Sequence, residues 1–158
     1  MLFTGEYEFT IDSKGRLAIP SEIRSLMDDE RDGQAFYLTL GTHRTLCLYP
    51  ENIFHRLVNQ IEEDLVPEES VQEFDQLLFP LATRLKWDTA GRMKIPKRMR
   101  ERAGLADNKI TLIGVRDHLE IRDREQWQAE LEDRLAKQAE IYKRFSMRRK
   151  GDGGRGED

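Results

Sequence analysis

Two arginines hold equivalent places in a stretch that the chain spells twice. "DSKGRLAIP" runs from Asp12 to Pro20, and "DTAGRMKIP" runs from Asp88 to Pro96, 76 residues later. Asp, Gly, Arg, Ile and Pro recur at the same five positions. The guanidiniums of Arg16 and Arg92 are suited to three kinds of chemistry. Each can grip guanine bidentately through O6 and N7, or pair with a phosphate. Each can instead close an ion pair with the aspartate of its own motif, Asp12 or Asp88. The residues leave these readings open, and one arginine can do two of these jobs at different moments. Lys14 in the first turn, with Arg84, Lys86 and Lys94 around the second, are cations suited to positioning on a phosphate backbone.

Both motifs sit in the same order of elements. "YEFTI" places Tyr7, Phe9 and Ile11 on one face, the period of two of a half-buried strand. "RLAI" and "RMKI" alternate likewise, with Leu17 and Ile19, or Met93 and Ile95, inward and the cations outward. Between the strands, Asp12 or Asp88 accepts a backbone N–H, and Gly15 or Gly91 takes a left-handed conformation, so a tight strand–turn–strand is predicted. Pro20 and Pro96 end the second strand and open a short helix, for which Gly104 is a stop in the second copy. A second hairpin follows in each copy, with Gly41 and Gly114 near the turns. Longer helices come next. Ile53, Leu57 and Ile61 form one apolar stripe, with Phe54, Val58 and Leu65 beside it. Trp127, Leu131 and Leu135 form another, and Asp123 with Gln126 makes a capping box. Pro67 interrupts the chain and Ser70 caps the helix that restarts. The terminal "GDGGRGED" lacks apolar residues and is expected to be disordered.

The repetition reaches beyond the motif. "LTLGTHRTLCLYP" matches "TLIGVRDHLEIRD" at an offset of 73, the first copy holding three extra residues in "DDERDG". The organisation is then a first repeat over 5–54, a helical connector over 55–80, a second repeat over 81–127, a C-terminal helix over 128–146 and a tail over 147–158. Four short strands per copy bury little apolar surface on their own. An α+β fold follows, in which two pseudo-symmetric halves close one barrel-like core with helices at its flanks.

Local charge is strongly polarised although the total is only −4. Residues 84–102 carry eight Lys or Arg against Asp88 and Glu101, a net of +6, whereas 51–76 carry eight Asp or Glu against Arg56, a net of −7. A basic strand pair with an acidic region behind it has the footprint of a nucleic-acid face, because a two-stranded ribbon fits the major groove. Charge runs are also the ordinary solvated faces of helices, and it is the duplicated Gly-Arg turn that favours the nucleic-acid reading. The residues argue against catalysis. His43, His55 and His118 share no metal-ligand spacing, no phosphate loop or nucleophile elbow is present, and Cys47 alternates with Leu46 and Leu48 as a structural thiol. No cofactor, disulfide or membrane span is expected, and the single cysteine with no secretory pattern in "MLFTGEYEF" makes a soluble protein of a reducing cytosol the expectation. A module that binds a basic protein through the acidic region is the competing class.

"GEYEFTIDSKGRLAIP" followed by "DTAGRMKIPKRMRERAGL" resembles the MraZ family of bacterial transcriptional regulators, over residues 1 to 145 and including "LCLYP" and "LIGV". The resemblance implies two SpoVT-AbrB repeats folded as an AbrB-like swapped-hairpin β-barrel with flanking α-helices. It implies a ring-like homo-oligomer that binds double-stranded DNA at short direct repeats in the promoter of a division and cell-wall gene cluster, in the cytoplasm and associated with the nucleoid. The family's motif falls on Asp12, Gly15 and Arg16, and on Asp88, Gly91 and Arg92. Thr89 and Ala90 stand where relatives often carry a longer polar side chain, which moves the expected contact of the second turn onto Arg92. AbrB-like barrels also occur in antitoxins that cap a toxin, the protein-binding alternative.

Overall fold

Alternating apolar residues become short strands whose inward side chains meet in one core. The computed structural model describes residues 1–61 and 64–152. Residues 1–124 make one unit, and a second unit begins at Glu125. The first unit runs β1 (Glu6–Thr10), β2 (Arg16–Ala18), α1 (Ser21–Leu26), α2 (Asp29–Asp32), β3 (Phe36–Leu40), β4 (Leu46–Pro50), α3 (Glu51–Val58), α4 (Glu69–Leu81), β5 (Thr83–Leu85), β6 (Arg92–Lys94), α5 (Lys97–Arg102), β7 (Lys109–Val115) and β8 (His118–Asp123). The fold is α+β, with two sheets and flanking helices.

Strand pairing crosses between the repeats. The larger sheet has six strands in the order β1-β7-β8-β4-β3-β5, and β2 pairs with β6 in a sheet of two. β1 therefore lies on the second repeat's β7, Tyr7 opposite Leu112, while β5 lies on the first repeat's β3, Leu85 opposite Phe36. The predicted hairpins β3–β4 and β7–β8 form. The strand–turn–strand of each motif turns as expected, but its strands pair with the other repeat instead of with each other. One core results. Ile11, Leu17, Ile19 and Ile23 pack with Met93, Ile95, Met99, Ile110 and Leu112, all almost wholly buried.

The punctuation residues act close to where the sequence put them. Pro20, Pro50 and Pro96 each precede a helix as an extended cap residue, one position earlier than the first turn. Gly104, at φ +69°, stops α5, its N–H bonding Glu101 O and that of Leu105 bonding Arg100 O. "DDERDG" folds into α2, where Asp28 accepts from Glu30 and Arg31 and the buried Asp32 is held by Arg31. Gly114 is near its turn as expected, one residue short of the last position of its strand. It lies inside β7, where a Cβ would collide with the backbone of Phe3 and Thr4, and Arg116 takes the positive φ of the turn. The stripe beginning at Ile53 ends with α3 at Val58, short of Leu65, and α4 starts after Glu68, whose side chain makes no cap bond, so that Ser70 lies inside the helix.

The second unit contains most of α6 (Arg124–Ala136) and all of α7 (Gln138–Asp152). Within α6, Arg134 lies over the Trp127 ring at 5.8 Å and pairs with Glu130 at 3.1 Å. No residue of α6 is buried, so the stripe of Trp127, Leu131 and Leu135 does not close into a core of its own. Residues 147–152, expected in a disordered tail, belong to α7, and the rest of that expected tail, 153–158, lies outside the described residues.

Candidate nucleic-acid interface

Each motif aspartate builds its own turn. Asp12 Oδ1 accepts the N–H groups of Lys14 and Arg16, both at 2.9 Å, and its carbonyl accepts Gly15 N–H at 2.9 Å. Asp88 repeats this with Ala90, Arg92 and Gly91, again at 2.9 Å each. The glycines have φ of +79° and +76°, a conformation that a side chain would strain. The second carboxylate oxygen takes the motif arginine. Arg16 Nε donates to Asp12 Oδ2 at 2.7 Å, and Arg92 donates to Asp88 Oδ2 at 3.1 Å. The arginine's backbone N–H first, and its guanidinium with it, hold each carboxyl below the usual aspartate range although desolvation pushes the other way. The ion pair foreseen as a competitor of DNA contact is therefore present in both turns, and in Arg16 it is made through Nε.

The ribbon then displays the cations. β2 and β6 pair antiparallel, Arg16 opposite Lys94, Leu17 opposite Met93 and Ala18 opposite Arg92. Leu17 and Met93 are fully buried, so Arg16, Arg92 and Lys94 share the other face. The two turns lead into opposite ends of the ribbon. Arg16 and Lys94 are like charges directly across the strands, an arrangement that is unfavourable until an anion sits between or above them. Among the described residues Lys94 has no carboxylate partner. Lys14 is exposed at the first turn, and Lys86 is exposed two residues before Asp88.

Arg84 is placed differently. It lies on edge strand β5, and both Nε and Nη2 donate to Glu51 at the head of α3. Its charge is matched there, and the same bonds hold the Glu51 carboxyl below its usual range. Four of the six cations singled out in the sequence thus converge on the ribbon and its first turn, and Arg84 does not.

Sequence reasoning passed over Arg24 on α1 and Arg100 on α5. Both are half-buried, and their Nε groups donate to Ile19 O at 3.1 Å and Ile95 O at 3.3 Å. They are separated by the motif's own offset of 76. That shared offset was the signal that could have found them.

The remaining candidates are set in packed or solvated surroundings. Cys47 is buried, and burial pushes its thiol up to about 12. Among the described residues no group of His, Cys, Asp and Glu is arranged to hold a metal, and no helix is long and apolar enough to cross a membrane. Phe74 and Leu77 on α4 are exposed beside a groove of about 540 Å³ lined by Leu40, Cys47, Phe54 and Leu57.

Comparison with known proteins gives this geometry a context. A family model described as "MraZ protein, putative antitoxin-like" matches residues 2–74 and 78–145. The transcriptional regulator MraZ of Neisseria meningitidis serogroup A is 35% identical over 131 residues, spanning 82% of this chain and 85% of that protein. The transcriptional regulators MraZ of Roseiflexus castenholzii and Finegoldia magna are 34% and 31% identical over 127 residues, each spanning 80% of this chain and 85% of the relative.

Proposed function

The chain belongs to the MraZ family, and from that membership we propose that it is a DNA-binding transcriptional regulator without enzymatic activity. The observation that carries the reading is the β2–β6 ribbon, which sets Arg16, Arg92 and Lys94 on one outward face with a motif turn at either end. A ribbon of this width fits the major groove. Arg16 and Arg92 read base edges from it, Lys14, Lys86 and Lys94 engage phosphates, and Arg84 joins them only on release from Glu51. Asp12, Gly15, Asp88 and Gly91 shape the turns.

The fold is read as an AbrB-like swapped-hairpin barrel of two pseudo-symmetric repeats, 5–54 and 81–127. The crossed pairing of β1 with β7, β3 with β5 and β2 with β6 supports this. The chain acts as a ring-like homo-oligomer on short direct repeats in the promoter of its own division and cell-wall gene cluster, associated with the nucleoid in the cytoplasm. One ribbon offers few cationic contacts, and several copies on successive repeats raise avidity without new chemistry. The exposed apolar side of α4 is consistent with contacts between copies.

The test is a gel-shift titration with duplex from the gene's own upstream region against a scrambled duplex. Retardation is expected to favour the upstream duplex and to weaken steeply as salt rises. No retardation at low salt anywhere in that region overturns the reading.

A further inference from the structure

We propose that Arg24 and Arg100 are crossed positioning residues: each guanidinium, anchored in its own repeat, fixes the motif turn of the other repeat. The inference rests on the reading of those turns as DNA-reading elements. Arg24 Nε donates to Ile19 O at 3.1 Å, and the N–H of the same Ile19 donates to Gly91 O at 2.8 Å. The loop closes on Gly91 itself. A Cβ there would stand 2.6 Å from Arg24 Cζ and 2.7 Å from its Nε, so the guanidinium occupies the space that glycine leaves. Arg92 is the next residue. Any displacement of Gly91 is passed directly to the backbone from which Arg92 projects.

The second repeat returns the contact. Arg100 Nε donates to Ile95 O at 3.3 Å, and Ile95 N–H donates to Gly15 O at 2.9 Å. A Cβ on Gly15 would lie 3.1 Å from Arg100 Nη2. Among the described residues neither Arg24 nor Arg100 is paired with a carboxylate. The two arginines therefore differ from Arg16 and Arg92, which are held by their own aspartates. A planar guanidinium with an Nε–H suits this place, and lysine has neither feature.

Positioning across the repeats makes a crossed prediction that a phosphate contact does not. On the upstream duplex, Arg24→Met is expected to weaken binding about tenfold, the scale of one misplaced base contact. That loss disappears when Arg92→Ala is already present and persists in full beside Arg16→Ala; Arg100→Met shows the mirror pattern. The slope of log K against log salt stays unchanged. Coupling to Arg16 instead of Arg92, or a slope smaller by about one, overturns the proposal, the latter by identifying a phosphate contact. The free protein provides a separate readout. In ¹⁵N amide spectra, Arg24→Met and the milder Arg24→Lys should both move the Gly91 and Arg92 signals and leave Gly15 and Arg16 in place. An uncrossed pattern sinks the brace even if DNA binds. Failure of the wild-type protein to bind DNA removes the functional reading and leaves the amide test of the brace intact.

Discussion

Asp12 and Arg16 are joined twice, through Arg16 Nε to Oδ2 at 2.7 Å and through the Arg16 backbone N–H to Oδ1 at 2.9 Å. One carboxylate both builds the turn and restrains the side chain that the turn presents. Ion pairing and base contact are therefore compatible, because a restrained guanidinium loses less freedom on binding than a mobile one.

Arg16→Ala is expected to lower affinity for the upstream duplex at least about tenfold while the thermal midpoint changes little. Asp12→Asn keeps an oxygen for the turn and frees the guanidinium, so binding to scrambled duplex should rise and discrimination between duplexes should fall. A collapse of the thermal midpoint in Arg16→Ala would assign the arginine to structure alone.

Gly91→Ala and Gly15→Ala both force a side chain into positive φ, at a cost of about 1–3 kcal/mol each. Gly91 should be the costlier site, because its Cβ would meet Arg24 at 2.6 Å, whereas the nearest atom to Gly15 is Arg100 Nη2 at 3.1 Å. Urea unfolding of the two variants checks the order.

Leu17→Ala and Met93→Ala should each cost about 2–5 kcal/mol, as large-to-small changes at fully buried positions do. The residues face each other across β2 and β6. Unfolding followed by Trp87 fluorescence and by circular dichroism should remain one coincident transition in the first unit, with no surviving half.

A pH dependence follows from His118, which stacks on Tyr49 at 4.7 Å and meets Asp117 and Glu120 through its two ring nitrogens. Burial pulls its pKa down, but the bonds to Glu120 and Asp117 outweigh this and hold it above the ordinary 6.5. Its stabilisation is complete below pH 6.5 and is lost as pH rises through the raised value. Glu120 is held below its ordinary 4.5, by His118 first and also by Arg122, so its contribution is present above 4.5 and lost on acidification. A thermal-midpoint profile should be highest between these limits, and His118→Gln should flatten the alkaline slope.

Much of this was legible in the residues. Alternation identified Leu17, Ile19, Met93 and Ile95 as inward, and the Asp-x-x-Gly spacing identified both turns. Alternation fixes the face of a strand and is silent on its partner, so the pairing of β2 with β6 had no local signature. Arg84 looked available because Glu51 is 33 residues away in the chain and across a strand in space. Arg24 and Arg100 were hidden for the same reason, since the glycine that each packs against belongs to the other repeat.

The shared ribbon also sets a time order on synthesis. β2 leaves the ribosome early, but its strand partner is β6, ending at Lys94. A nascent chain of eighty residues contains the whole first motif and has no ribbon on which to show it. The surface assigned to DNA comes into being only when the second motif has emerged, so the growing chain stays mute towards DNA until most of it has been translated.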